Sequence, residues 1–370
     1  MPVPVYDPLD DALAAVASCG IELADGNSNH APMVAEALCA LGRPEAVMPW
    51  IARYRERTLP RPPLGERIEP RGWRAALGRR ERFADWAEFF ARELDAAPWR
   101  DVLDRCVGHL APGFCAAATH GVIRVGHAVR GIAERDTPSR RKELADALAA
   151  WAATWQRLPA ADDAAEGGAS PRAAILDAPL VPPERRRGGN ITAGLGVLDE
   201  FPEFAPIIAA IDTNGPLPPL ITELSEVFAR VYLANARTIP TVIAFIHGVT
   251  SQAALGNLAP HLKEPTARRL ARYAWQSGCA LYACYGSGPA LGEHIPAVSD
   301  AEDLVERAIA SGDEHAIKFT EACLGRHAQS PSPAYLAAAR HAVETIGRRR
   351  SGPDQPRTSP PSIGIRAPVT

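Results

Sequence analysis

The chain of 370 residues is 46% hydrophobic and 22% charged, with a formal net charge of −3 and a pI near 6.4. That size supports one large core or two ordinary ones, so an enzyme-sized folded protein is the default. The near-neutral balance leaves no general electrostatic case for nucleic acid or an anionic membrane surface as partner. Seven cysteines, at 19, 39, 106, 115, 279, 284 and 323, form no C-x-x-C pair, and the start of the chain shows neither a basic region nor an apolar run. Reduced thiols in a soluble, cytoplasmic protein are the expectation, with no run near twenty apolar residues to span a membrane.

In chain order, Asp10 to Cys19 reads as an alanine-rich helix, and Asp25-Gly26-Asn27-Ser28-Asn29 as turn chemistry that delivers His30 to the start of the next helix. Met33, Ala37, Leu38 and Leu41 form the apolar stripe of that helix, and Gly42 its stop. Residues 55–80 turn to Arg, Pro and Gly, a surface excursion, before Phe83, Trp86, Phe89, Phe90 and Leu94 recur at helical spacing. One continuous helix is expected over 107–135, carrying His120 and His127, and another is striped by Leu144, Leu148, Trp151 and Trp155. Residues 158–196 are rich in Pro, Gly, Arg and Asp and read as a long link between two halves.

In the second half, Leu220 to Tyr232 and an apolar run opened by Ile239-Pro240 predict helices, followed by helices over 268–284, 300–325 and 335–348. Alternating strand patterns are scarce. The expected fold is mainly α: a single large bundle-like domain over residues 1–350 with long Pro/Arg-rich connections, then a disordered tail over 351–370. The arginine clusters 185–187 and 348–350 sit beside Pro/Gly-rich segments and read as solvated loop edges.

Forty basic residues include only three lysines, at 142, 263 and 318. The first two sit among charged neighbours, whereas Lys318 lies between Ile317 and Phe319, with His315 and Glu321 on its helical face. Arginine would serve for charge alone; a desolvated primary amine can lose its proton and do chemistry. The plainer reading is a buried ammonium paired with Glu314 or Glu321. Histidines at 30, 120, 127, 247 and 315 begin or interrupt apolar helices, while those at 109, 261, 294, 327 and 341 neighbour loops or arginines. Helical bundles build metal sites from such inward-facing side chains, although a hydrogen-bonded core role is the commoner fate of any one histidine.

Seven residues of helix separate His120 from His127 by about 10.5 Å along the axis, so only one of them can reach an ion that the other ligates. His120-Gly121-Val122 recurs as His247-Gly248-Val249, which favours His120, and the glycines would admit close helix approach. A neutral Lys318 amine can add carbon dioxide to become a carbamate, an oxygen ligand for iron(II), manganese or zinc. Glu36 and Glu321 are read as supporting residues rather than a catalytic carboxylate pair. Neither a dinucleotide G-x-G-x-x-G, a P-loop, H-E-x-x-H nor G-x-S-x-G occurs in a fitting context.

The segments Asn29-His30-Ala31-Pro32-Met33, Thr119-His120-Gly121-Val122, Ile246-His247-Gly248-Val249-Thr250 and Asp313-Glu314-His315-Ala316-Ile317-Lys318 resemble the questin oxidase-like family. The resemblance runs from about residue 10 to 345. It implies a mainly helical oxygenase that oxidises or opens anthraquinone-type rings of aromatic polyketides with dioxygen, through either NADPH or a non-haem iron held by histidines and a carboxylated lysine. The second form places the metal on His30, His120, His247, His315 and Lys318, and makes His127 and Arg124 candidates for holding or protonating a phenolate or quinone oxygen. The missing dinucleotide fingerprint weighs against NADPH. Two other readings stay open: a metal-free NADPH-dependent monooxygenase, and a non-enzymatic helical binding protein with buried histidines.

Overall fold

A computed structural model describes residues 3–161, 167–292 and 300–351, so His294 and the expected tail from 352 onward lie outside the described residues. The helices of the first half are Leu9–Ala15 (α1), Ala31–Ala40 (α2), Pro44–Tyr54 (α3), Phe83–Ala96 (α4), Trp99–Leu110 (α5), His120–Glu134 (α6) and Pro138–Ala153 (α7). Those of the second half are Pro171–Ala174 (α8), Ile191–Leu195 (α9), Leu217–Asn235 (α10), Ile239–Leu258 (α11), Glu264–Tyr285 (α12), Ala301–Ser311 (α13), Glu314–Gln329 (α14) and Pro333–Ser351 (α15). Among the described residues the one sheet is antiparallel, formed by Cys19–Leu23 (β1) and Thr58–Pro60 (β2), with Leu23 opposite Thr58. The fold is predominantly α and a single domain, as its patterning predicts.

Four helices close a ring at the centre. α6 packs on α2 and α11, and α14 packs on α11 and α2, while α7, α10, α12 and α15 form the layer outside them. Composition explains the placement. Every residue of α2 is buried, and α11 is so apolar that, by length and composition alone, it could cross a membrane; 72% of that stretch is buried inside the protein. Thr238 starts α11 with a capping box shared with Thr241, and Pro240 occupies its first turn, where a missing N–H costs nothing. A Cβ on Gly126 would lie 2.8 Å from the Ala254 Cβ, so α6 and α11 approach to backbone contact there. A Cβ on Gly121 would meet Trp151 of α7 at 2.8 Å. Gly248, by contrast, would take a Cβ at ordinary distance from Leu281, so only the first of the two His-Gly steps marks a tight crossing.

Four expectations need correction. The first helix stops at Ala15, and Cys19 begins β1 instead of ending the helix. The continuous helix over 107–135 breaks after Leu110 into a tight turn over 111–113, then Ala117, Ala118 and Thr119 take positive φ values of 47°, 56° and 70° before α6 begins at His120. Pro112-Gly113 was the sequence signal for that break. The helix over 300–325 is two helices, because Gly312 adopts φ +62° and ends α13 while the Asp313 side chain caps α14. The link over 158–196 holds α8 and α9, and its arginines are anchored rather than merely solvated: Arg186 donates to the Val181 and Gly286 carbonyls at 3.0 and 2.6 Å, and Arg187 pairs with Glu200.

Candidate metal centre

Each helix of the central ring delivers one histidine to the same point. His30 is the N-cap of α2, His120 the first residue of α6, His247 a mid-helix residue of α11, and His315 the second residue of α14. Ring centroids lie 4.6 Å apart for His30–His120, 4.6 Å for His120–His247, 4.8 Å for His30–His315 and 5.5 Å for His247–His315. The donor nitrogens of His30, His120 and His315 all fall within 4.8 Å of one another, and His247 Nε2 is 3.2 Å from His120 Nε2. Three of the four stand at helix N-termini, whose partial positive charge disfavours an imidazolium and keeps the ring neutral. Neutral imidazole is the ligating form.

Hydrogen bonds fix which nitrogen faces inward. His120 Nδ1 is 2.5 Å from the Ala117 carbonyl and His247 Nδ1 is 2.7 Å from the Ile243 carbonyl. A carbonyl only accepts, so each Nδ1 carries the proton and each Nε2 presents a bare lone pair. His315 Nδ1 faces the Asp313 carboxylate at 3.6 Å, the partner arrangement common behind metal-bound histidines. The His120 and His247 lone pairs are then aimed at each other across 3.2 Å, and His30 Nε2 sits 2.7 Å from His120 Nε2 with its own Nδ1 buried and unpartnered. Two nitrogens bound side by side to one ion at about 2.1 Å are about 3 Å apart, so the cluster has nearly the spacing that an ion imposes.

The carbonyl of Ala117 is available because of the left-handed run before α6. Left-handed backbone costs a non-glycine residue roughly 1–2 kcal/mol, and here three successive residues adopt it. Trp151, fully buried, donates from Nε1 to the Gly113 carbonyl at 2.8 Å and pins the turn that forces this conformation. The strain sits immediately beside the histidine cluster, where strained backbone is a common mark of functional sites.

Lys318, one turn into α14, is 2% exposed, and its Nζ finds only Met33 Sδ at 3.9 Å. Among the described residues it has no carboxylate partner. Glu321 pairs with Arg130 and Glu314 lies 3.8 Å from Arg57, so the ion pair considered for Lys318 is not formed. Burial pushes its pKa down from 10.5 to about 8, against the opposing pull of Glu314 and Asp313. Burial also holds His30, His120 and His247 well below their ordinary value, and the positive charge of Lys318 and of the neighbouring rings adds to it.

The chain matches the questin oxidase-like family over residues 27–323, a span containing all four histidines and Lys318. It belongs to that family. None of the curated proteins is similar to the chain at a significant level. Questin oxidase-like membership points to an oxygenase of anthraquinone-like, polyketide-type small molecules.

The remaining two candidates lie outside the histidine cluster. Arg124 spends both arms of its fork on Glu143 of α7, at 2.7 and 2.8 Å, in a buried pair. His127 Nδ1 lies 2.6 Å from Glu36 Oε2. Glu36 also accepts from Tyr6 Oη at 2.7 Å and from Arg130 at 2.7 and 2.5 Å, and Arg130 reaches on to Glu321. Burial favours a neutral Glu36, yet Arg130 and His127 outweigh it and hold the carboxyl at about 2. Arg130 and Tyr6 were absent from the sequence reading, and Asp313 appeared there only within a motif, with no role given. Asp313 could have been found as an N-cap preceding His315, whereas nothing local marks Arg130 or Tyr6.

Proposed function

We propose that this questin oxidase-like protein is a non-haem iron oxygenase that uses dioxygen to cleave a carbon–carbon bond of a polycyclic phenol or quinone. The observation that carries the reading is the set of Nε2 lone pairs of His120 and His247 turned inward on each other by carbonyl-bound Nδ1 groups, with His30 completing the face. His30, His120, His247 and His315 would hold the ion. Iron(II) would supply redox chemistry toward dioxygen there; manganese or zinc suits the same donors, zinc without redox chemistry.

Lys318, as a carbamate, would supply an oxygen donor beside these histidines. An amine held at about 8 keeps a neutral fraction near physiological pH; its nitrogen bonds the carbon of carbon dioxide, one proton leaves, and the product is an anionic oxygen donor. A buried anion there would favour binding together with the cation. His127 is the group that holds or protonates a substrate oxygen, and Arg124 secures α6 to α7 behind it. The cavity beside Lys318 has a volume of about 10 Å³, room for about one water, so a fused-ring substrate needs its walls to move.

Oxygen uptake with a hydroxyanthraquinone tests the reading. Uptake that requires iron, stops on chelation and places label from ¹⁸O₂ in a ring-cleaved product is the expected result. NADPH oxidation that drives product formation through chelation would overturn it.

A further inference from the structure

His127 stands between two small cavities, each of about 10 Å³. One is lined by Glu36, Arg140 and Glu143 with Leu9 and Leu13 of α1; the other by Lys318, Glu321, Thr250 and Asn257. Nδ1 is tied to Glu36 Oε2 at 2.6 Å, and the hydrogen bonds of the ring among the described residues all go to Nδ1, leaving Nε2 without one. A carboxylate cannot donate, so Nδ1 bears a proton whatever the charge of the ring. Neutral His127 therefore carries its lone pair on Nε2.

We propose that Glu36 is a positioning residue that locks His127 in the Nδ1–H tautomer, so that Nε2 serves as the proton acceptor for a hydroxyl oxygen entering the cavity beside Lys318. The step is balanced within the dyad: the O–H bond of a phenolic hydroxyl breaks, an N–H bond forms on Nε2, and the resulting imidazolium lies against the Glu36 carboxylate while the substrate becomes a phenolate. This rests on the oxygenase reading only in supplying that hydroxyl.

The surroundings hold Glu36 to the task. Arg130 binds both of its oxygens and also Glu321, joining α2, α6 and α14, three of the four helices that bear the histidine ligands. Tyr6 supplies a further donor from the chain's start. Charged groups facing His127 are Glu36, Arg130 on its own helix, Arg140 and Glu143 across the first cavity, and Lys318 and Glu321 across the second.

Two-bond ¹H–¹⁵N spectra of the full chain labelled with ¹⁵N-histidine, recorded without metal and with zinc, test the assignment. His127 is identified as the ring signal lost in His127→Gln. The parent is expected to show Nδ1 protonated and, in the neutral ring, Nε2 bare; Glu36→Ala removes the acceptor and is expected to move the ring to the Nε2–H tautomer preferred by free histidine. An Nε2–H tautomer in the parent overturns the proposal even if the Glu36 variant fails to fold, as do unchanged ring shifts in Glu36→Ala. Zinc is expected to move the signals of His30, His120, His247 and His315; if it moves none, the metal reading fails while the tautomer result stands on its own.

Discussion

The four-histidine layer and the Glu36–Arg130–Glu321 layer are carried by the same helices, and their polar groups are met in opposite ways. In the second, one guanidinium spans two buried carboxylates, and Tyr6 and His127 fill the remaining acceptor sites of Glu36. In the first, the His120 and His247 lone pairs face each other, a buried His30 Nδ1 has no partner, and among the described residues a lysine is buried without an anion. Burying uncompensated polar groups is costly, and the contrast between a satisfied layer and an unsatisfied one is what supports the proposal of a bound ion in the latter. The satisfied layer fixes the helices; the unsatisfied one is what they present.

Breaking the satisfied layer is expected to have the largest effect. Arg130→Met strands Glu36 and Glu321 together, and loss of one partner from a buried ion network costs about 3–5 kcal/mol, to be read from urea denaturation. The opposite sign is expected in the unsatisfied layer. Lys318 is charged in both states below about 8 but only when unfolded between about 8 and 10.5, so its penalty is full below the folded value and absent above the unfolded one. Lys318→Met is therefore expected to stabilise the metal-free protein by about 3 kcal/mol at pH 7, and to flatten the rise in stability that the parent shows from pH 8 to 10.5. Below pH 6.5 the metal-free parent is expected to lose stability as the unfolded chain takes up protons that buried His30, His120 and His247 refuse.

Much of this division was legible in the sequence, for unequal reasons. Lys318 stood out because the chain otherwise carries its charge on arginine, and His30, His120, His247 and His315 because each begins or interrupts an apolar helix. Their convergence was not legible. It depends on which helices close the central ring, and on the left-handed run at 117–119, which alanine and threonine do not advertise. Arg130 looks like any helical arginine until Glu36 and Glu321, at distant points of the chain, are brought to it. Helix boundaries failed where capping outcompeted periodicity, at Gly312-Asp313 and after Leu110.

Smaller perturbations sharpen the comparison by moving the layers without removing a donor. Gly126→Ala is expected to push α6 from Ala254 of α11, at about 1–3 kcal/mol, and to widen the His120–His247 spacing enough to weaken metal binding measured by competition with a chelator. Ala118→Gly relieves one left-handed residue and is expected to raise thermal stability by up to about 1 kcal/mol.

Metal content of protein purified in bicarbonate without chelator tests the central claim most directly. The account predicts near-stoichiometric iron in the parent, lost in His120→Ala, His247→Ala and Lys318→Arg while Arg124→Lys retains it. A folded parent that binds none of iron(II), manganese(II) or zinc(II) after anaerobic reconstitution would contradict it.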